Sequence, residues 1–366
     1  MEAIRILHVV TYMGRGGLET MLMNYYRHID RDKVQFDFLV HRDFEADYDS
    51  EIESLGGKIY HVSRLVPWSR GYRMELKKFF CEHPEYKIVH VHQDCLSAVA
   101  LQCAKECGVP VRIAHSHNSN QDKNWKYLIK RYYMKMIPNS ATDLFACSKS
   151  AGEWMFGGQS FQILYNAINT AEYAYSEDIA KKIRRELGFE SNDIVIGHVG
   201  RFNSQKNHDF LIDIFEECVK LNSNVKLLLI GDGDGKQKIQ EKVSKLEIQE
   251  RVIFAGVRSD VSKLLQAMDI FVFPSLYEGL PVTMIEAQAS GLPCVISDQV
   301  PKECIVTCGL VSSKSLNELP IQWAEHILQP MPKTRENHIK EIKKAGYDIV
   351  DAAERLETFY LQRAEE

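Results

Sequence analysis

Two glutamates eight positions apart, Glu278 and Glu286, are the residues of this sequence best suited to do chemistry. Glu278 follows the apolar run 270–273, and Gly279 and Pro281 then mark a turn into a helix. A glutamate early in a mostly apolar helix is costly to bury unless something satisfies its carboxylate. Two adjacent sugar hydroxyls could do so, because a carboxylate accepts two hydrogen bonds. A helix-capping acid followed by a surface acid is the alternative.

Two cations stand five positions apart in a second candidate loop. Arg201 and Lys206 follow the apolar run 194–199 and precede a helix-like segment, 208–221. Beside a helix N-terminus this pair would suit a diphosphate, because arginine offers forked donors and lysine a point charge. A solvated pair of loop charges is the alternative.

Glycine-rich loops follow two further apolar runs. Residues 14–17 contain three glycines, and residues 231–235 alternate glycine with Asp232 and Asp234. Neither loop has the third glycine of GxGxxG, so neither carries the dinucleotide fingerprint. The first loop could bring its backbone close to a phosphate, or it could be a turn that needs a positive φ. The second could serve a metal and a nucleotide, although strand-to-helix turns commonly use the same residues.

Short apolar runs alternate with longer amphipathic segments along the chain, which predicts an α/β protein with parallel sheets and right-handed crossovers. The predicted strands are 4–10, 34–40, 58–62, 88–92, 111–115, 143–147, 162–165, 194–199, 225–230, 252–254, 270–273 and 294–296. The predicted helices include 18–29, 95–107, 208–221, 236–246, 282–290 and 347–361. The alternation pauses near 166–191, so we expect two doubly wound, Rossmann-like domains that meet at a cleft.

Composition excludes several other classes of protein. The 366 residues carry 45 basic and 50 acidic side chains, a net charge of −5, so no general basic field attracts nucleic acid. The apolar runs are too short for a transmembrane helix, and the first ten residues indicate a strand rather than a signal peptide. The nine cysteines are scattered without metal-site spacing, so we expect reduced thiols in a cytoplasmic protein.

The segment YEGLPVTMIEAQASGLPCV, which contains both glutamates, resembles the signature of retaining glycosyltransferases of family 4. That family has the GT-B fold, in which two Rossmann-like domains face a central cleft. The resemblance covers nearly the whole chain, through VTYMGRGGLET, GHVGRFNSQKNHDFLIDIF, LLIGDGDGKQKI and RVIFAGVRSDVSKLLQAMDIFVFPS. It implies that the glycine loops serve a nucleotide sugar rather than NAD. One departure lies at 166–169, where Asn-Ala-Ile-Asn replaces the usual Asn-Gly-x-Asp.

The resemblance implies a role for each charged residue. Arg201 and Lys206 would bind the donor diphosphate and stabilise it as the leaving group. Glu286 would hold the ribose hydroxyls, and Glu278 would meet hydroxyls of the donor sugar.

Several backbone groups receive roles in the same way. The amides of Gly279 and Leu280 would lie near the sugar and the phosphate. Gly16 and Gly17 would close on the phosphate from the other domain, and Val257 with its two neighbours would lie near the base.

A histidine at the end of an N-domain strand usually lies by the anomeric carbon in this family. The stretch Ile-Ala-His-Ser-His-Asn offers two, His115 and His117. His117 is favoured because it is nearer the end of the strand. For each of them, a structural histidine with satisfied hydrogen bonds is the alternative.

The implied reaction moves a sugar from a nucleotide diphosphate, UDP rather than GDP, to an acceptor hydroxyl with retention at the anomeric carbon. The cations and loop amides would stabilise the leaving group without a metal, so no metal and no cofactor are expected. Residues 1–170 would bind the acceptor and residues 171–345 the donor. Residues 346–366 would form a helix that crosses back to the first domain.

Residues 123–137 predict a basic amphipathic helix. Apolar or aromatic residues recur at helical spacing: Trp125, Leu128, Ile129, Tyr132 and Met136. Five cations accompany them: Lys123, Lys126, Lys130, Arg131 and Lys135. Such a helix suits an anionic membrane surface and a lipid-linked acceptor. A core-facing helix with a solvated basic side is the alternative.

The sequence therefore predicts an enzyme of capsular polysaccharide, exopolysaccharide or glycolipid synthesis, located in the cytoplasm and peripherally on the inner face of the cell membrane. Its partners would be a nucleotide sugar and a glycan or lipid-linked acceptor. Two alternative functions are a GT-B nucleotide-sugar epimerase and an inactive GT-B scaffold subunit. The glutamate pair with its Glu-Gly-Leu-Pro turn argues against the epimerase, and the intact Arg201, Lys206, Glu278 and Glu286 argue against the inactive subunit.

Overall fold

The computed structural model describes residues 3–118, 127–330 and 335–365. The chain forms two compact units. The first unit comprises residues 1–167 and 348–366, and the second comprises residues 168–347. Each unit has its own parallel sheet, so each is described by itself.

The first unit contains a parallel sheet of seven strands among its described residues, in the order β3-β2-β1-β4-β5-β6-β7. The strands are β1 (Ile4–Val9), β2 (Val34–Val40), β3 (Ile59–His61), β4 (Ile88–Val91), β5 (Val111–Ser116), β6 (Asp143–Ala146) and β7 (Gln162–Ile163). The helices between them are α1 (Gly17–His28), α2 (Asp49–Ser54), α3 (Arg70–Glu82), α4 (Ser97–Glu106), α5 (Tyr127–Met134), α6 (Ile137–Ser140) and α7 (Lys149–Phe156).

The second unit contains a parallel sheet of six strands among its described residues, in the order β10-β9-β8-β11-β12-β13. The strands are β8 (Ile194–Val199), β9 (Val225–Ile230), β10 (Val252–Gly256), β11 (Ile270–Phe273), β12 (Cys294–Ser297) and β13 (Val311–Lys314). The helices are α8 (Glu177–Glu186), α9 (His208–Leu221), α10 (Lys236–Lys245), α11 (Val261–Ala267), α12 (Val282–Ala289), α13 (Pro320–Ile327) and α14 (Ile339–Lys344).

The final helix, α15 (Ile349–Glu365), belongs to the first unit although the whole second unit precedes it in the chain. Its buried residues, among them Ala352, Leu356 and Tyr360, join the core of β1, β2 and α1. The opposite face of the same sheet is covered by α3, α4 and α7. Coverage on both faces explains why the central strands are continuously apolar.

The predicted α/β class and the two doubly wound parallel sheets are confirmed. One strand was missed: β13 reads Val-Ser-Ser-Lys and lacks the apolar run of its neighbours. The helix predicted over 123–137 is wrong as a single element, since α5 ends at Met134 and α6 begins at Ile137, directly before Pro138. Trp125 and the cations at 123 and 126 lie outside the described residues. Among the described helices, none has both the length and the apolar character needed to cross a bilayer.

Candidate active site

Four loops meet at one edge of the second sheet, because the strands are parallel and β8, β9, β10 and β11 all end there. Two of these loops are bonded to each other. The Leu276 amide donates to the Gln205 carbonyl at 2.8 Å. Asn207 Nδ2 donates to the Pro274 carbonyl at 3.1 Å. Asn207 has a φ of 55°, which asparagine tolerates, and it turns the loop into α9.

Lys206 and Glu278 form an ion pair at this edge. Lys206 Nζ lies 2.7 Å from Glu278 Oε1, and the two side chains are 16% and 6% exposed. Gln205 Nε2 donates to the other Glu278 oxygen at 3.2 Å. Lys206 Nζ also lies 4.5 Å from the centre of the Phe273 ring, within reach of a cation–π interaction. Lys206 and Glu278, for which the family resemblance implies separate roles, therefore contact each other, and an anion that reaches Lys206 competes with Glu278 for it.

Glu286 lies inside α12 and accepts a hydrogen bond from Tyr173 Oη at 2.9 Å. Burial raises the pKa of the Glu286 carboxyl to about 7, and the Tyr173 hydrogen bond opposes that rise. The neighbouring helix residues Met284 and Ile285 are fully buried against the sheet. Glu286 is therefore a half-buried acid with one protein partner, and the alternative of a surface acid does not describe it.

The glycine loop 231–235 packs directly against the loop that carries Arg201 and Lys206. Gly231 and Gly233 have φ values of 136° and 152°, and a Cβ at either would collide with the backbone of Gly200 or Phe202. The Phe202 amide donates to the Asp232 carbonyl at 3.0 Å. Glycine is needed here for close backbone approach, which favours the structural turn over a metal–nucleotide site.

Arg201 and Val257 are exposed at the ends of β8 and β10, and the Val257 exposure is 60%. Arg258 is held within its own loop by two hydrogen bonds to Asp260, at 2.8 and 2.7 Å. Val257 therefore exposes apolar surface, and Arg201 exposes positive charge, at this edge of the sheet.

Gly279 and Leu280 connect Glu278 to the start of α12. Leu280 is 8% exposed, and α12 begins at Val282 with Pro281 at its N-cap. The free amides and the positive dipole end of a helix favour negative charge at this position.

The glycine loop of the first unit leads into α1, which begins at Gly17 with Gly16 as its N-cap. Gly16 has a φ of −95°, and the described positive-φ residues do not include 14, 16 or 17. The alternative of a turn that needs positive φ is therefore not what the structure shows. Nothing lies within 4 Å of a Cβ built on Gly17, so the backbone there is open to a ligand.

His115 and His117 lie at the carboxyl end of β5, with ring centroids 4.0 Å apart. His115 is fully buried, whereas His117 is half-buried just beyond the strand. His117 Nε2 lies 2.9 Å from His92 Nδ1, within hydrogen-bond distance. Burial lowers the pKa of His117 to about 3, so its imidazole is neutral at neutral pH.

Helix α5 presents the described part of the basic amphipathic segment. Leu128 and Tyr132 are 76% and 63% exposed, and Arg131 and Lys135 are exposed beside them. Tyr133 turns inward instead, and its Oη donates to the Pro67 carbonyl at 2.9 Å. No residue of α5 is fully buried. Its outer face carries apolar surface from Leu128 and Tyr132 and positive charge from Arg131.

Sequence reasoning missed several residues that the fold brings to these sites. Tyr173 and Gln205 gave no motif, since their roles depend on the long-range contacts with Glu286 and Glu278. His8, His90 and His92 were missed as well. The period-two spacing in His-Val-His at 90–92, which places both rings on one face of a strand, could have indicated them.

Two Rossmann-like units with charged and glycine-rich loops at the carboxyl edges of their sheets define the GT-B class of protein. Two family models match the chain: Glycosyltransferase Family 4 over residues 15–172, and Glycosyl transferases group 1 over residues 179–308. The chain belongs to the family 4 glycosyltransferases.

Named relatives agree with this family. The putative glycosyltransferase EpsF of Bacillus subtilis is 37% identical over 360 residues, which span 94% of this chain and 93% of the relative. The Escherichia coli enzyme UDP-Gal:alpha-D-GlcNAc-diphosphoundecaprenol alpha-1,3-galactosyltransferase is 23% identical over 76% of each chain. The solved structure of HepE from Anabaena, in complex with UDP and glucose, is similar with a TM-score of 0.76 and 20% identity, and covers 99% of this chain and 98% of its own.

Proposed function

We propose that this glycosyltransferase moves a sugar from a nucleotide-diphosphate donor, preferably a UDP-sugar, to a hydroxyl of a glycan or lipid-linked acceptor, with retention at the anomeric carbon. The observation that carries the proposal is the largely shielded ion pair of Lys206 and Glu278, with side chains 16% and 6% exposed, at the loop edge of the second unit. This pair lies near Arg201 and the start of α12, so cations are available for the diphosphate of a donor and a carboxylate for the sugar attached to it.

Donor binding exchanges the partners of this pair. The diphosphate takes Lys206, whose charge then stabilises the negative charge that grows on the leaving group. Glu278, released from Lys206, accepts hydrogen bonds from the sugar hydroxyls. Arg201 adds forked donors from the exposed side, so the charge is balanced by protein groups and we propose that the reaction needs no metal.

The nucleoside end is held by Glu286 and the Val257 loop. An ionised Glu286 accepts hydrogen bonds from the two ribose hydroxyls, with Tyr173 orienting its other oxygen. The exposed backbone around Val257 would contact the base, and the amides of Gly279 and Leu280 the sugar and phosphate. UDP is favoured by the family resemblance and by the donor named for the galactosyltransferase relative.

The first unit supplies the acceptor side of the reaction. The half-buried neutral His117 is better placed to contact a reacting sugar than His115, which is enclosed in the sheet. The open backbone at Gly17 is suited to a phosphate, whereas the Glu19 carboxylate lies against Gly16 and would have to move for an anion to reach it.

A lipid-linked acceptor fits the exposed face of α5. Cations and apolar side chains together favour the surface of an anionic membrane, so we propose peripheral attachment at the cytoplasmic face of the cell membrane. The galactosyltransferase relative acts on a diphosphoundecaprenol-linked sugar, and we propose for this chain an acceptor of that class and a role in surface polysaccharide or glycolipid synthesis.

Radiolabelled UDP- and GDP-sugars incubated with the protein and a membrane lipid extract test the proposal. We expect label to move to the lipid fraction, and Lys206→Ala to lower the rate by at least about 100-fold through loss of leaving-group stabilisation. The exposed Lys220, which pairs with Glu216, gives the matched control Lys220→Ala. Thermal unfolding of each variant checks that the loss is not a loss of fold, and wild-type turnover in Lys206→Ala would contradict the phosphate role.

A further inference from the structure

Histidines line one face of the first sheet beneath α15. His8 on β1 is the cross-strand neighbour of His90 on β4, and His92 follows two positions later on the same face. All three are buried, with exposures of 0%, 1% and 4%. They lie deeper in the sheet than His117 and belong to no role proposed above.

The three rings already converge. His8 Nδ1 lies 3.1 Å from His92 Nε2, and the rings of His90 and His92 have centroids 4.3 Å apart. One ring nitrogen from each residue falls within a group whose members all lie within 4.8 Å of one another. Two nitrogens that bind one tetrahedral zinc ion lie about 3.4 Å apart, so small ring rotations would complete such a group.

One ring nitrogen that would face the ion has no partner in the protein. The described residues give no hydrogen-bond partner to His90 Nε2, although this atom is buried. Such orphaned acceptors or donors are rare in folded proteins and are costly in an apolar core. Phe36 and Phe38 pack against the His8 ring, with ring centroids 4.3 and 5.5 Å away, so its surroundings are partly apolar.

The outer nitrogens of His90 and His92 are held by hydrogen bonds, as those of metal ligands usually are. His90 Nδ1 lies 2.7 Å from Tyr360 Oη, and His92 Nδ1 lies 2.9 Å from His117 Nε2. Hydrogen bonds of this kind fix the tautomer of a ligating imidazole and aim its other nitrogen at the ion. That leaves His90 Nε2 and His92 Nε2 facing inward, with His8 Nδ1 beside them.

We propose that His8, His90 and His92 form a binding site for one divalent transition-metal ion of the zinc class, with water completing the coordination. Neutral imidazole is a preferred ligand for such ions. The ion would replace the proton between His8 and His92 and tie β1 and β4 to α15 through Tyr360. Because the site is enclosed, the ion would enter as the unit folds. Its role would be structural, independent of the proposed donor chemistry in the second unit.

Untagged protein, refolded with equimolar zinc and dialysed against metal-free buffer, tests the site. We expect one zinc per chain by elemental analysis, and the intense visible absorption of tetrahedral Co²⁺ after exchange. X-ray absorption of the wild-type zinc protein should count three imidazole ligands. A wild-type chain with no zinc above the buffer blank, or a zinc without imidazole ligands, would overturn the proposal.

Variants locate the ion. His8→Gln and His90→Gln should lower zinc affinity by at least about 100-fold, and Tyr360→Phe by about 10-fold because only the orienting bond is lost. His41→Gln is the matched control, since His41 is equally buried in this unit but bonds to Val10 and Tyr72. Retention of zinc in His8→Gln with its loss in His117→Gln would place the ion at His92, His115 and His117 instead and sink this assignment. Should a variant fail to fold, the wild-type absorption measurement still decides.

Discussion

The carboxylates at the loop edge of the second unit have different electrostatic surroundings. Glu278 is matched by a lysine at 2.7 Å, whereas half-buried Glu286 has a neutral phenol as its partner. Burial beside a neutral group favours the protonated acid. Glu286 therefore titrates near neutrality, because burial raises its pKa to about 7.

The proposed role of Glu286 predicts that nucleotide binding depends on pH. Its folded pKa of about 7 lies above the ordinary value of 4.5, so the carboxylate proposed to accept the ribose hydroxyls is lost as the pH falls through 7. We expect the affinity for UDP to weaken about tenfold per pH unit below 7 until the protonated form sets a floor. Calorimetric titrations between pH 6 and 8.5 measure this.

Two variants separate Glu286 from other titrating groups. Glu286→Gln should bind UDP more weakly and lose this step in the profile. Tyr173→Phe removes the hydrogen bond that opposes the rise in pKa, so the midpoint should move to higher pH. A wild-type profile that is flat across this range, or an unchanged midpoint in Tyr173→Phe, would contradict the proposed contact.

At the scale of elements, the strands were easier to predict than the side-chain partners. Continuous apolar runs located most strands within one or two residues, because burial on both faces leaves that pattern in sequence. β13 was missed because its Val-Ser-Ser-Lys sequence lacks the pattern, and the break before α6 was overlooked although Pro138 stood there. Motif spacing located Lys206 and Glu278, but their contact joins residues 72 positions apart and has no local signal.

The outer face of α5 should bind anionic membranes. Replacing Arg131 and Lys135 by glutamate removes the attraction to anionic lipids. In sedimentation with phosphatidylglycerol vesicles, we expect the double variant to partition onto the membrane at least about tenfold more weakly than the wild type. High salt should reduce wild-type binding in the same direction.

A matched charge reversal on another helix controls for net charge. Lys181 and Lys182 on α8 have side chains 65% and 69% exposed. Their replacement by glutamate should leave vesicle binding nearly unchanged. Equal losses from both double variants would mean that overall charge, not α5, governs the association.

At the scale of the whole molecule, both units enclose histidines that fold in neutral form. In the second unit, His208 is 3% exposed and stacks on Phe202 with ring centroids 4.1 Å apart. Burial, assisted by the nearby charge of Lys206, lowers the pKa of His208 to about 4. Burial also lowers the pKa of the neighbouring His198. Each unit thus carries groups that only the unfolded chain protonates readily.

Protonation of the buried histidines should therefore weaken the second unit as the pH falls below about 6.5, while protonation of Glu286, whose folded pKa is about 7, acts in the opposite direction. With an unfolded pKa near 6.5 and a folded pKa of about 4, His208 contributes stability that is complete above 6.5 and lost as the pH falls toward 4. Between pH 7.5 and 5 the loss is about 2 kcal/mol for one such histidine.

Trp323 provides the measurement, since it is the single tryptophan of residues 168–347 and is fully buried. Urea unfolding is followed by its fluorescence in a variant whose other tryptophans are phenylalanine. His208→Phe, which preserves the stacking on Phe202, should reduce the pH slope. The same pH dependence of the free energy of unfolding in the wild type and in His208→Phe, from pH 7.5 to 5, would contradict this account, because Glu286 contributes equally to both.

The placement of α15 has a consequence for biosynthesis. The ribosome must translate all of residues 168–347 before the helix that covers β1, β2 and β4 is made. The emerging first unit therefore exposes an apolar sheet face with its histidines while the second unit is already able to fold. The first-made part of the chain is the last to be completed, and during that interval it is the natural client of a chaperone.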